Sequence, residues 1–297
     1  MRNGRTFVLG LGNQKCGTSW LHKYLRKSNK FGGGFIKEFH IWDRRDIPLF
    51  YDKKSRLSLG TLISPRRYQR YRMENSDDYY FSYFDKLMIG EKVISADITP
   101  SYSGLRADRL EYIKNKFLEK EIDTKVIILV REPLSRIKSA VRFNLDRGNY
   151  SEGIELNETD FERALIQYYD TEHCLIRTKY ENIISEAESV FKSDSIYIGF
   201  FENMFEKSEV ERLSKFLQVE PRLDFAKVKV NKTRNAVTDT YADLKIKAEK
   251  SPKKPVKKDT KLANEAKPVK EVKPEKVAKA KKSAPAKEKK VTTTISD

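Results

Sequence analysis

Four short apolar runs, each followed by a stretch with helical spacing, constrain this chain more than any other feature. They are residues 6–11 (TFVLGL), 93–96 (VISA), 125–130 (KVIILV) and 195–201 (SIYIGFF). Each is too short for a buried helix and lacks the polar–apolar alternation of a half-exposed strand, so each reads as a strand buried on both faces. Helical patterns occupy 18–28, 106–118, 133–145, 160–169, 171–191 and 208–217. Pro133 suits a helix's first turn, where its missing N–H leaves no bond unmade. Strands alternating with helices predict an α/β fold, a three-layer P-loop-like parallel sheet flanked by helices. In such a sheet ligands bind beyond the carboxyl ends of the strands.

Composition sets where that fold stops. Residues 248–297 hold 16 Lys, 7 acidic residues and five of the chain's ten Pro, with no aromatic residue and no Gly. Such a segment buries too little apolar surface to offset its ordering entropy. It is predicted to be a disordered basic C-terminal tail, able to bind anionic polymers weakly and in a salt-dependent way. It carries +9 of the formal +17 charge. The folding unit is then 1–247, with all the Phe, Tyr and Trp of the 297-residue chain. No run approaches the roughly 18 apolar residues of a transmembrane helix. The N-terminus passes into a strand without a signal-peptide core. Cys16 and Cys174 form neither a disulfide framework nor a zinc-ligand pattern. These features predict a cytoplasmic protein in a reducing compartment, of bacterial or viral origin, with no metal.

Chemistry-bearing residues follow the strands. Residues 10–20 read GLGNQKCGTSW, with Gly12 and Gly17 at phosphate-loop spacing and the hydroxyls of Thr18 and Ser19 next. Between a strand and a helix, such a loop offers backbone N–H groups and the helix dipole to a phosphate. The position after the second Gly, a lysine in nucleotide triphosphatases, is Thr18; a lysine stands inside the loop instead, at Lys15. A Gly-rich turn with a chance lysine is the bland alternative. After KVIILV the chain gives Arg131, and Ser139 lies eight residues on. The planar fork of Arg suits bidentate phosphate contact, and Arg136 and Lys138 are expected to add positive field. Residues 37–43 read KEFHIWD, placing a carboxylate, Glu38, among cationic groups where it could accept a proton.

The string NQKCGTSWL closely resembles the 5′-phosphosulfate loop of sulfotransferases that use 3′-phosphoadenosine 5′-phosphosulfate (PAPS), with Gln14 in place of the usual Pro. The resemblance puts Lys15 on the leaving phosphate and Cys16, Gly17, Thr18, Ser19 and Trp20 around the donor, with Arg131 and Ser139 on its 3′-phosphate. KEFHIWD resembles the K-E-x-H-F-F-D signature of Golgi heparan sulfate sulfotransferases, especially the 3-O type. That implies Glu38 as general base, Lys37 near the sulfate, and His40 and Asp43 orienting Glu38 and acceptor. Residues 96–102, ADITPSY, are similar to a further family segment, E-K-[ST]-P-x-Y, and imply acceptor contacts from Thr99 and Tyr102. Here Ile98 replaces a Lys that some glycan-acting members use. Residues 231–235, NKTRN, resemble a donor-closing K-G-R loop, giving Lys232 and Arg234 as donor contacts. The implied activity is transfer of a sulfuryl group from PAPS to a hydroxyl or amine of a glycan or small hydroxylated acceptor, without metal. Two rivals stand beside it. One is a P-loop kinase or nucleotide hydrolase, with Asp97 as the stand-in for a magnesium ligand. The other is a nucleic-acid-binding protein acting through its tail.

Overall fold

The computed structural model describes residues 4–53 and 57–228. Lys232, Arg234 and the whole of 248–297 lie outside the described residues. Four strands form one sheet: β1 (Thr6–Gly10), β2 (Ile94–Asp97), β3 (Asp123–Val130) and β4 (Ile196–Phe200). Their order is β2-β1-β3-β4 and every pairing is parallel. All four expected strands are present, trimmed or extended by one or two residues.

The continuous apolar character of the strands has a direct cause. Phe7 and Leu9 of β1, with Val126, Ile128 and Val130 of β3, enter one cluster. Val8, Ile127 and Leu129 enter another on the opposite face. Helices α3 (Asp77–Leu87), α4 (Ala107–Leu118) and α7 (Tyr180–Glu188) cover the first face. Helices α1 (Thr18–Leu25) and α8 (Lys207–Leu217) cover the second. A third cluster joins α5 (Pro133–Asp146) to α6 (Phe161–Tyr169) through Ile137, Val141, Leu165 and Tyr168.

Local sequence explains where several helices begin. Pro133 opens α5 as expected, and the Glu132 carboxylate accepts from the amides of Leu134 and Ser135. Asp160 caps α6, and Ser76 caps α3 ahead of Asp77 and Asp78, whose charge favours a helix N-terminus. Two expectations need correction. Residues 171–191 are not one helix: a single turn at Glu172–Leu175 ends, and α7 starts at Tyr180. No Gly or Pro marks that break. It is made by tertiary contacts, because Arg136 donates to Thr178 Oγ1 at 2.7 Å and Tyr180 OH donates to the Arg131 carbonyl at 2.9 Å. Between α1 and β2 no helical pattern was expected, yet α2 (Pro65–Asn75), α3 and short turns at Asp43–Asp46, Pro48–Lys53 and Leu59–Leu62 fill it.

The strand order also fixes where a ligand can sit. From β1 the chain crosses to β2 on one side, and from β3 to β4 on the other. The switch point therefore lies between β1 and β3, where neighbouring loops leave in opposite directions and open a crevice. The loops after these two strands are the ones that carry GLGNQKCGTSW and Arg131.

Candidate active site

The loop after β1 is fastened to β3 before it reaches the crevice. The Asn13 side chain and backbone amide both donate to the Leu129 carbonyl, each at 3.1 Å. The loop then turns through Lys15 (φ 70°) and Gly17 (φ 94°) into α1. Gly17 is required twice over. A left-handed φ disfavours a side chain, and a Cβ there would lie 2.5 Å from Met204 Sδ. Helix α1 starts with no side-chain cap and no acidic residue in its first turn. Its free amide end faces a cleft of about 590 Å³, a volume typical of small-molecule sites.

Cations converge on that helix end. Lys15 lines the cleft with its ammonium 4.3 Å from the Phe143 ring centre. Burial, then the charges of Arg131 and Arg147, lower its pKa to about 8 against opposition from Asp146. Lys37 Nζ stands 3.1 Å from Thr18 Oγ1 and 3.3 Å from Ser19 Oγ. Arg131 lies over the Phe201 ring at 4.3 Å and donates to the Lys15 carbonyl at 3.3 Å. Its Nε is buried with no hydrogen-bond partner among the described residues. Ser139 lines the same cleft from α5, one turn before Phe143. Two lysines and an arginine gathered around one helix N-terminus, Lys15 among them half-desolvated, make this end of the cleft favourable for an anion.

The opposite wall is acidic and connected. Glu38 Oε1 pairs with Lys37 Nζ at 2.5 Å, and Oε2 lies 3.4 Å from His40 Nε2. The other ring nitrogen of His40 meets Asp43 Oδ2 at 2.7 Å, and Ser101 Oγ donates to the same oxygen. Burial would raise the Glu38 pKa, but the hydrogen bond from His40 and the Lys37 charge hold it near 2. Burial would lower the pKa of His40, yet Asp43 and Glu38 raise it. The result is an ionised carboxylate bridged by the His40 ring, itself oriented by a buried aspartate. All of Lys37, Glu38, His40 and Asp43 line the cleft.

Several expected site residues lie elsewhere. Thr99 and Tyr102 are fully buried and do not reach the cleft. Both donate to Asp97, Thr99 Oγ1 to Oδ1 at 2.6 Å and Tyr102 OH to Oδ2 at 2.8 Å. They also accept from the backbone of 39–42, so they hold KEFHIWD in place from beneath. Cys16 turns away into the core under the loop, where burial raises its thiol pKa to about 12. Arg136 and Lys138 are buried and do not line the cleft, and the Arg136 charge acts from beneath, on Cys16 of the loop. Asp97, the magnesium stand-in of the kinase reading, is wholly buried among Tyr80, Thr99 and Tyr102.

The sequence reading also missed part of the lining. Arg177 and Glu152 form a buried ion pair at 2.9 Å, with Asn144 donating to the second Glu152 oxygen. Arg44, Ser101, Phe143, Phe201 and Phe205 complete much of the remainder. Phe143 was accessible to sequence reasoning, since it lies four residues after Ser139 on one helix face. Glu152 follows a polar stretch with no periodic signal, and Arg177 sits inside what reads as uninterrupted helix.

Among the described residues no group of His, Cys, Asp and Glu could hold a metal ion, and no helix is long and apolar enough to cross a membrane. No curated protein matches the chain. Solved structures that resemble it include a sulfotransferase from Alicyclobacillus acidocaldarius, 20% identical over 82% of this chain and 88% of that one, with a TM-score of 0.49. The sulfotransferase domain of the Synechococcus PCC 7002 olefin synthase is 14% identical over 82% and 93%, TM-score 0.45. The sulfotransferase domain of the curacin biosynthetic pathway is 16% identical over 76% and 78%, TM-score 0.46. The family model for the sulfotransferase domain matches residues 5–266, most of the chain and every strand and loop described above, and the chain therefore belongs to the sulfotransferase domain family.

Proposed function

We propose that this enzyme transfers the sulfuryl group of PAPS to a hydroxyl or amine of a carbohydrate or other small acceptor, with Glu38 as general base. One observation carries the reading. Lys15, Lys37 and Arg131 meet at an uncapped helix end in a single cleft, and the facing wall is the Glu38–His40–Asp43 relay.

The residues present suit such a donor. The α1 amides and the Thr18 and Ser19 hydroxyls would take the 5′-phosphosulfate end. Arg131 and Ser139, across the switch point, would take the 3′-phosphate, since both line the cleft. Trp20, Phe201 and Phe205 form an aromatic wall suited to a base, with Trp20 and Phe205 edge to face at 6.1 Å. PAPS supplies an activated sulfur, so transfer is one in-line displacement in which the acceptor oxygen bonds sulfur while the bridging phosphate oxygen leaves. Glu38 then receives the acceptor's proton, and Lys15 stabilises charge on the departing phosphate.

A carboxylate with a pKa near 2 is a weak base. Lys37 explains how it could strengthen. The ammonium now divides itself between Glu38 and the loop hydroxyls. An anion against Thr18 and Ser19 would draw Lys37 away from Glu38 and so raise the carboxyl pKa.

Calorimetric titration with adenosine 3′,5′-bisphosphate, without magnesium and beside ATP, tests the donor assignment. Tight bisphosphate binding, weakened about tenfold or more by Arg131→Ala and not matched by ATP, is expected. Binding of Mg·ATP in preference would favour the kinase reading. Glu38→Gln should keep bisphosphate affinity and lose roughly two to four orders of magnitude in turnover; full turnover in that variant would remove Glu38 from the base role.

A further inference from the structure

The chain from 53 to 73 contains seven Lys or Arg and no Asp or Glu. Its described part, residues 57–73, is ordered in an unusual way. Large aliphatic side chains come first and point into solvent: Leu57 is 56% exposed, Leu59 79%, Leu62 55% and Ile63 77%. These are the most exposed aliphatics of their neighbourhood, packed into seven residues around the single turn Leu59–Leu62. Soluble surfaces seldom gather such residues unless something covers them. Helix α2 follows at once and carries Arg66, Arg67, Arg70 and Arg72.

Three of those arginines line a second groove, of about 420 Å³, together with Arg44. Arg44 is paired with Glu74 at 2.7 Å. Arg66 and Arg67 are exposed and make no ion pair among the described residues. The groove therefore keeps an uncompensated positive charge beside a protruding apolar ridge. It also adjoins the catalytic cleft: Arg44 lines both, and Arg70 Nη2 donates to the Glu38 carbonyl at 3.1 Å.

We propose that residues 57–72 dock the enzyme on an anionic lipid bilayer, Leu59, Leu62 and Ile63 entering the acyl boundary and Arg66 and Arg67 meeting headgroup phosphates. Apolar side chains that insert, flanked by cations that hold anionic headgroups, are the two components of interfacial binding. A soluble polyanion would use the arginines and leave the aliphatic ridge wet. A neutral apolar partner would leave the arginines desolvated without anions. An anionic membrane satisfies both. Docking in this orientation places the Arg44 rim of the cleft at the lipid surface, so that the acceptor hydroxyl comes from a membrane-borne molecule. That last clause rests on the transferase reading, whereas the docking does not.

The test is flotation of the full chain with phosphatidylcholine vesicles and with mixed phosphatidylcholine–phosphatidylglycerol vesicles. Wild-type protein should float with the mixed vesicles only. Leu59→Ser with Ile63→Ser leaves the charge unchanged and should weaken that partition about tenfold or more, as should Arg66→Ala with Arg67→Ala. Electrostatic capture by the Lys-rich residues 248–297 would survive the serine substitutions. If the serine variant floats like wild type, or wild type floats with neither vesicle, the docking proposal is wrong. Melting temperature and adenosine 3′,5′-bisphosphate affinity of each variant report on folding. Should the double serine variant melt early, Leu62→Ser carries the same comparison. Failure of wild type to bind the bisphosphate counts against the transferase reading, and the flotation comparison still decides the docking.

Discussion

Lys15 gives the sharpest quantitative prediction, because its charge is compromised by the neighbours that make the site attractive to an anion. In the free protein its pKa is lowered from 10.5 to about 8 by burial first and then by Arg131 and Arg147. A phosphate placed against it supplies the missing counter-charge and raises that pKa in the complex. Below pH 8 Lys15 is protonated with or without ligand, so affinity does not vary with its titration. Above pH 8 the free side chain is neutral and binding must take up one proton, so affinity falls by up to about tenfold per pH unit. Between pH 7 and pH 9 a single group of pKa 8 gives a loss of about tenfold. Calorimetry with adenosine 3′,5′-bisphosphate at pH 7, 8 and 9, in buffers of differing ionisation enthalpy, reads both the affinity and the proton uptake. Lys15→Met should bind more weakly at pH 7 and show a flat profile. An affinity that is constant from pH 7 to 9 in the wild-type protein would refute the placement of the bound phosphate against Lys15.

Three further outcomes follow from the packing. Arg177→Met leaves Glu152 buried without its counter-ion and should destabilise the fold by about 3–5 kcal/mol, read by denaturant unfolding. Burial opposes but Arg177 and Asn144 hold the Glu152 pKa near 2 against an ordinary 4.5, so the pair's stabilisation is complete above pH 4.5 and is lost as pH falls toward 2; the variant should lack that acid sensitivity. Gly17→Ala places a Cβ 2.5 Å from Met204 Sδ at a left-handed backbone position, and bisphosphate affinity should drop about tenfold or more while the far-ultraviolet circular dichroism is retained. Asp97→Asn turns an NH₂ group toward donors whichever way the amide lies, since both oxygens accept hydroxyl protons. A cost of about 1–3 kcal/mol is expected, and an unchanged melting temperature would show that these hydroxyls find other acceptors.

The sequence by itself determined the parallel α/β sheet, because strands buried on both faces must be continuously apolar and the loops between them must be polar. It also pointed, through the phosphate-loop spacing and the resemblance of three segments to PAPS-using sulfotransferases, to Lys15, Lys37, Glu38, His40, Asp43, Arg131 and Ser139, which the structure brings to one cleft. What it did not determine depends on contacts between distant segments. Thr99 and Tyr102 carry polar groups suited to a substrate, yet their neighbours in space are Asp97 and the backbone of 39–42, so they serve as a buried floor. The helix expected across 171–191 is broken where Arg136 and the Arg131 carbonyl, from a distant part of the chain, bond Thr178 and Tyr180. Glu152 and Arg177 become cleft residues only because α5, α6 and the turn at Glu172–Leu175 pack together. Local propensity and periodicity act over a few residues, whereas burial, charge pairing and the lining of a cleft are set by which segments the sheet brings side by side.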